Sequence, residues 1–424
     1  MIYNIVIYFV LWGIAIASLF NEKVRKMWRG EREAFKILKQ KVDPTAKYIW
    51  FHAASLGEFE QGRPLMERIR KEYPQYKILL TFYSPSGYEV RKNYEGADII
   101  CYMPVDTRLN AIRFLRLVRP VMAFFIKYEF WSNFLHILKH RNIPTYSVSS
   151  IFREDQVFFK WYGRSYAGVL KCFTRFFVQN EESKRLLESI GITDVDVVGD
   201  TRFDRVLQIK QAAKHLPICE AFRSGVAGSD SVASSEKASH PDYKVFVAGS
   251  SWPPDEEIFI RFFNEHKDWR LLIAPHVIAE EHLKLILSLL KNKKVVRYTQ
   301  TTPEEAAKAD VLIIDCFGLL SSMYNYGDVA YIGGGFGVGI HNTLEAAVWN
   351  MPVIFGPNNK KFQEVQGLLK SGGGFEINTY EDFSGLMSAL MNDEVFLKQA
   401  GDKAGAFVAS LSGATGKVLA KVEL

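Results

Sequence analysis

Short apolar runs alternate with amphipathic stretches along almost the entire chain, and that alternation restricts the fold more than any other feature. In the first half the runs YIWFHAAS, KILLTFYS, DIICYMP, VMAFFIKYE, IPTYSVSS, RFFVQN and DVDVVGD are interleaved with helical segments such as 58–73, 85–94 and 107–118. The second half repeats the pattern with YKVFVAGSS, WRLLIAPH, VLIIDC, VAYIGGG and PVIFGP, and with helical stretches at 254–266, 279–291, 318–325 and 343–350. Runs so continuously apolar suit strands buried on both faces, and strands taking turns with helices imply parallel sheets. Two such blocks predict two Rossmann-like, doubly wound α/β domains facing across a cleft, with ligands expected beyond the carboxyl ends of the strands.

A chain of 424 residues exceeds one comfortable core, so length also predicts two domains. The tract SGVAGSDSVASSEKASH at 224–240 is low in complexity, which makes 216–242 a linker between domains at 21–215 and 243–424. Residues 1–20, MIYNIVIYFVLWGIAIASLF, carry no charged side chain. About twenty apolar residues is the helix length that crosses the roughly 30 Å hydrocarbon layer. Lys23, Arg25, Lys26, Arg29 and Arg32 follow this segment, whereas a secretory signal would have its basic residues before it. That order argues for an uncleaved transmembrane anchor with the remaining chain on the cytoplasmic side. A buried N-terminal helix is the alternative.

Cys101, Cys172, Cys219 and Cys316 lie far apart, without the spacing of a zinc site or a disulfide framework, which fits a reducing compartment. The net charge of +6 suits an anionic partner: membrane surface, phosphorylated substrate or nucleic acid. No nucleic-acid-binding motif accompanies it, so nucleic acid is not expected as a partner. The stretch 152–177 interleaves Arg153, Lys160, Arg164, Lys171 and Arg175 with Phe152, Phe158, Trp161, Tyr162, Tyr166 and Phe173. That composition suits anionic headgroups and acyl chains, the alternative being a core-facing helix with a basic outer side.

Function is sought at the strand ends. VAYIGGGFGVGIHNTLEAA, 329–347, runs from a strand through five glycines toward a helix, which suggests a phosphate cradle. The glycines do not have the spacing of a dinucleotide fingerprint. A tight strand-to-helix turn capped by Asn342, with Glu345 closing a capping box, explains the same residues without a ligand. Ser250, Ser251, Pro275, His276 and Asp315 end other strands of this half. His276 and His341 have neither metal-ligand spacing nor clustered carboxylates, and no D-x-D motif is present, so no metal is expected. In the first half, Glu58 opens the helix after the first strand, Glu129 follows an apolar strand where a carboxylate is costly unless paired or working, and Arg202 could neutralise an anion.

HAASLGE at 52–58, YEFWSN at 128–133, QNEES at 179–183, GDTRFD at 199–204 and GIHNTLEAA at 339–347 together resemble the 3-deoxy-D-manno-octulosonic acid (Kdo) transferases. The resemblance extends over nearly the whole chain and keeps the motifs in order. It implies the GT-B fold preceded by an N-terminal anchor helix, and transfer of Kdo from CMP-Kdo to a lipid A precursor, lipid IVA, at the cytoplasmic face of the inner membrane. By the family's pattern Glu58 is the general base, and Glu129 and Arg202 stabilise the transition state. The CMP-binding segments correspond to Ser250 and Ser251, Pro275 and His276, Phe317, Gly318 and Leu319, and Asn342, Thr343, Leu344 and Glu345. The chemistry suits these roles, since an oxocarbenium-like state profits from a facing carboxylate, and a departing monophosphate can be held without a metal or other cofactor. The chain departs from the pattern at His276, where Arg is common, at Arg202, where Lys is usual, at Leu319, in place of an acid, and at Thr343, in place of proline. The competing expectations are another GT-B enzyme, a UDP-sugar transferase or epimerase, and a membrane-anchored nucleotide-binding protein without catalysis.

Overall fold

In the computed structural model, which describes residues 2–226, 243–337 and 339–424, the apolar runs form strands of two separate sheets. The first contains β1 (Lys47–Ala53), β2 (Tyr76–Phe82), β3 (Ile99–Tyr102), β4 (Met122–Ile126), β5 (Thr145–Ser150), β6 (Arg175–Val178) and β7 (Val195–Val197). Their order is β3-β2-β1-β4-β5-β6-β7 and every pairing is parallel. The second contains β8 (Lys244–Ser251), β9 (Trp269–Pro275), β10 (Val295–Arg297), β11 (Val311–Ile313), β12 (Val329–Ile332), β13 (Val353–Phe355) and β14 (Gly374–Glu376). Its order, β10-β11-β9-β8-β12-β13-β14, is again wholly parallel. Each is a doubly wound sheet whose strand order reverses once, between β1 and β4 and between β8 and β12, the points where such sheets open a crevice.

The chain divides into unit 1, Met1–Arg205 with Leu411–Leu424, and unit 2, Val206–Ser410. The sequence placed the division near 215 and assigned everything after 243 to one domain. Instead Ala414, Val418, Leu419 and Val422 join a core of unit 1. The Asp204 carboxylate fastens this return by accepting from the Gly413 and Thr415 amides, the latter at 2.6 Å. Part of the expected linker is a helix, Pro217–Ser224, while most of the Ser/Ala-rich tract lies outside the described residues.

Strand alternation splits the core of unit 1 across its sheet. Tyr48 and Trp50 face one cluster, and Ile49, Phe51 and Ala53 face the other. Helix α1 (Ile2–Phe20) is long and apolar enough to cross a membrane. The basic segment after it is no loose flank but a second helix, α2 (Glu22–Lys41), which buries Ala34, Phe35 and Leu38 against the sheet. The stretch 152–177 is not one helix. It is a chain of short turns, with Phe152, Phe158 and Phe173 in the core and Trp161 and Tyr162 exposed.

Candidate active site

Glu58 and Glu129 follow the two strands that flank the reversal in unit 1. Glu58 is the third residue of helix α3 (Leu56–Glu72), directly after β1, and its carboxylate accepts the hydroxyl of Ser55. Ser55 occupies the cap position yet spends its side chain on Glu58 rather than on a backbone amide. Glu129 stands three residues beyond β4. Lys127 has φ 63°, a left-handed conformation costly for a residue with a side chain, and this bend turns Tyr128 and Glu129 out from the sheet edge.

A buried chain of hydrogen bonds holds the Glu129 carboxylate. The Trp50 indole N–H can only donate, and it reaches Thr81 Oγ1 at 2.8 Å. Thr81 Oγ1 lies 2.9 Å from His52 Nδ1 and a longer 3.3 Å from the Phe51 carbonyl. A hydroxyl that accepts from Trp50 and donates to His52 Nδ1 leaves the imidazole proton on Nε2, which donates to Glu129 Oε2 at 3.2 Å. Trp131 Nε1 donates to the same oxygen at 2.6 Å. Trp50, His52 and Thr81 are completely buried, and with a neutral imidazole facing an ionised carboxylate this is the direction in which the chain runs. Glu129 lines a cavity of about 410 Å³ together with Tyr3, Tyr128, Trp131, Phe158 and Tyr166.

Tyr128 ties the remaining candidates into one neighbourhood. Burial raises its phenol's proton affinity, the nearby Arg153 opposes this, and the Asp200 and Glu58 carboxylates add to it. Arg202 is paired with a neighbour in unit 1, its guanidinium meeting Asp200 Oδ2 at 2.8 Å. Asp200 also accepts from Gln61 at 3.1 Å.

In unit 2 the glycine loop and the end of β8 flank the other reversal. A side chain on Gly333 would come within 2.2 Å of the Ser250 carbonyl, and Gly334 has φ 92°. Loop packing therefore demands those glycines whether or not a ligand is present. The buried Asp255 carboxylate pins the loop, accepting from Gly334 N at 2.9 Å, Tyr331 Oη at 2.8 Å and Trp252 N at 2.9 Å. Burial nevertheless pushes its proton affinity up.

Ser250, in a left-handed conformation with φ 53°, and the Ser251–Pro275 register put the ends of β8 and β9 side by side. His276 stacks between Trp252 and His341, with centroids 4.7 and 4.4 Å away. His341 is held below the usual imidazole range by burial and by His276. Trp252 Nε1 donates to its Nε2 at 3.3 Å, which places the neutral ring's proton on Nδ1.

Some of the expected nucleotide-contact residues also have roles in the fold. Ser251 donates to the buried Glu256 at 2.7 Å, and Thr343 and Leu344 are buried, so the Leu344 side chain belongs to the core rather than to a pocket wall. The expected helix at 343–350 is a single turn, Leu344–Ala347, too short to bring much dipole to an anion. The capping box is not formed. Asn342 accepts from Leu344 N at 3.2 Å and donates to Glu345 at 3.0 Å. Phe317 and Gly318 are exposed, and Leu319 opens the helix Leu320–Met323.

Sequence reasoning assigned no role to His52, Thr81, Trp131, Trp252 or Asp255. The signal for His52 is its position, a lone imidazole among YIWFHA. Among the described residues no group of three His, Cys, Asp or Glu side chains could hold a metal ion.

The sequence profile described as 3-deoxy-D-manno-octulosonic-acid transferase (kdotransferase) matches residues 29–205, the segment that carries Glu58, Glu129 and Arg202. A 3-deoxy-D-manno-octulosonic acid transferase of Rickettsia felis is 26% identical over 371 residues, covering 85% of this chain and 75% of its own. The enzyme of that name from Aquifex aeolicus is 26% identical over 353 residues, with 81% and 86% covered. The chain is similar to the Kdo transferases over most of its length, which supports glycosyltransferase chemistry, and its two-sheet architecture is shared by solved structures of low sequence identity. A UDP-GlcNAc 2-epimerase from Neisseria meningitidis superposes with a TM-score of 0.59 at 14% identity, covering 88% of this chain and 98% of its own.

Proposed function

We propose that this protein transfers Kdo from CMP-Kdo to a lipid A precursor, lipid IVA, with inversion, at the cytoplasmic face of the inner membrane, where α1 anchors it. The observation that carries this reading is the pair Glu58 and Glu129 on either side of the strand reversal in the unit that matches the family profile. Glu58 acts as general base on the acceptor hydroxyl. Ser55, donating to its carboxylate, keeps it oriented. Glu129 cannot turn away, because His52 and Trp131 hold one oxygen, and it faces the positive charge that develops at the anomeric carbon. Arg202, fixed by Asp200, is a half-buried cation for anionic groups of substrate. In unit 2 the ends of β8 and β9, the exposed Phe317 and Gly318 and the loop leading to Asn342 receive CMP. The His341 Nδ1–H is a neutral donor suited to a phosphate oxygen, and no metal or other cofactor enters the scheme.

Incubation with CMP-Kdo and lipid IVA, with the product read by mass, tests the reading. A Kdo adduct is expected, and Glu58→Gln should lower kcat about a hundredfold to ten-thousandfold while CMP affinity is unchanged. Equal loss of both would give Glu58 a structural role only. Thermal stabilisation by UDP and not by CMP would make the chain a UDP-sugar enzyme of the same fold.

A further inference from the structure

Helix α1 is apolar on all sides, yet its two sides have different surroundings. Tyr3, Ile7, Leu11 and Ile14 recur at helical spacing with Ser18 and are half-buried, Ser18 fully so. Ile5, Phe9, Trp12, Ile16 and Leu19 form the opposite stripe and are 52, 73, 69, 57 and 67% exposed. Both ends of the helix are fastened to unit 1. At the start, the Tyr3 hydroxyl donates to Asp106 at 2.6 Å, Asn133 donates to Asn4 at 2.8 Å, and the Tyr3 ring stacks on Tyr166. At the other end, Arg25 of α2, the helix that packs on the core of unit 1, grips the Ser18 and Leu19 carbonyls at 2.9 and 2.7 Å.

Residues 3–20 rise about 1.5 Å each, so these attachments lie roughly 26 Å apart along the axis. A helix that crossed the bilayer would have its ends on opposite sides of a layer about 30 Å thick. Asp106, Asn133 and α2 belong to one folded unit, which cannot stand on both sides.

We propose that α1 lies in the plane of the membrane, its exposed stripe among the acyl chains and its shielded stripe against unit 1. A lipid surface is the occupant that fits. The exposed Lys23, Lys26, Arg29 and Arg32 follow the helix directly and suit anionic headgroups, and exposed Leu109 and Trp161 stand on segments adjoining Asp106 and Tyr166. Tyr3 also lines the Glu129 cavity, so the membrane surface reaches the cavity mouth. If the proposed function holds, a lipid-borne acceptor meets Glu129 without leaving the bilayer.

The test places nitroxide labels on the full chain in phosphatidylethanolamine/phosphatidylglycerol vesicles, one at a time, at Ile5→Cys, Trp12→Cys and Leu19→Cys. Cys316→Ser removes the one cysteine that is not buried. Accessibility to oxygen and to a water-soluble nickel chelate reports depth. Equal shallow depths, roughly 5–10 Å below the headgroups, are expected at all three positions. A Trp12 label near the bilayer centre, with the other two near opposite surfaces, would establish a spanning helix and overturn the proposal. Spin–spin broadening without lipid exposure would instead show the stripe covered by a second copy, and would overturn it equally. No substrate enters the measurement, so its outcome is independent of whether Kdo transfer is found.

Discussion

Replacing Thr81 by Val removes one hydroxyl from the centre of the chain that ends on Glu129 and changes little else in shape. In the native protein that oxygen accepts from Trp50 and donates to His52, and all three residues are completely buried. The variant strands an indole N–H and an imidazole nitrogen. Each stranded buried group costs about 1–3 kcal/mol, so unit 1 should lose about 2–6 kcal/mol. Thr81→Ser keeps the hydroxyl and loses one methyl, worth about 1 kcal/mol. The catalytic consequence follows from the lost anchor of the ring. Without the Thr81 hydroxyl the imidazole keeps its Nε2–H toward Glu129 but loses its anchor at Nδ1, so the ring can tilt and its restraint on the carboxylate weakens. A misplaced catalytic group lowers rate by as much as about a hundredfold, so kcat should fall about tenfold to a hundredfold in Thr81→Val and less than threefold in Thr81→Ser. Urea unfolding and initial rates of Kdo transfer measure both effects. Variants that agree within about 0.5 kcal/mol and have equal kcat would refute the directed chain.

Three further outcomes are expected. Glu31 on α2 is 5% exposed, and burial lifts its carboxyl from 4.5 to about 8. The native state therefore holds this proton more tightly than the unfolded chain. The associated stability is complete below about pH 4.5 and is lost as pH rises toward 8. Glu31→Gln should remove a decline on the order of 1 kcal/mol per pH unit between pH 5 and 8, checked by denaturant titrations across that range. Gly333→Ala should destabilise unit 2 by about 1–3 kcal/mol and abolish CMP-induced thermal stabilisation, because its methyl meets the Ser250 carbonyl, whereas Gly337→Ala enters open space and should be silent in the same assay. Asp255→Asn should weaken the loop anchor by about 2 kcal/mol, read as faster amide exchange at Gly334, because a carboxylate that accepts three hydrogen bonds gives way to an amide that can accept through one oxygen only.

Sheet class and strand positions were legible because buried parallel strands must be nearly continuous in apolar residues, as MAFFI and RLLIA are. The edge strands β10 and β14 escaped because three residues each, flanked by lysines or glycines, leave no period to detect. The apolar N-terminal segment was legible as a helix. Its attachment was not, since Tyr3 and Asp106 are distant in sequence and no local pattern joins them. At the site, Glu58 and Glu129 stood out as carboxylates at strand ends. The groups that orient Glu129 did not, because His52 and Thr81 meet only through the β1–β2 register. Glycines at 333–335 pointed to a ligand, whereas the structure also shows them required by neighbouring backbone.

The return of residues 411–424 to the first unit has a temporal consequence. A ribosome completes β1 to β7 some two hundred residues before it makes Ala414, Val418 and Leu419, which close one face of that sheet. Until translation has passed unit 2, the earlier half carries an open apolar seam near α3, and Asp204 waits without the amides it later binds. Unit 2 is continuous in sequence and faces no such delay, so nascent chains should acquire protease resistance in the second half no later than in the first, reversing the usual vectorial order.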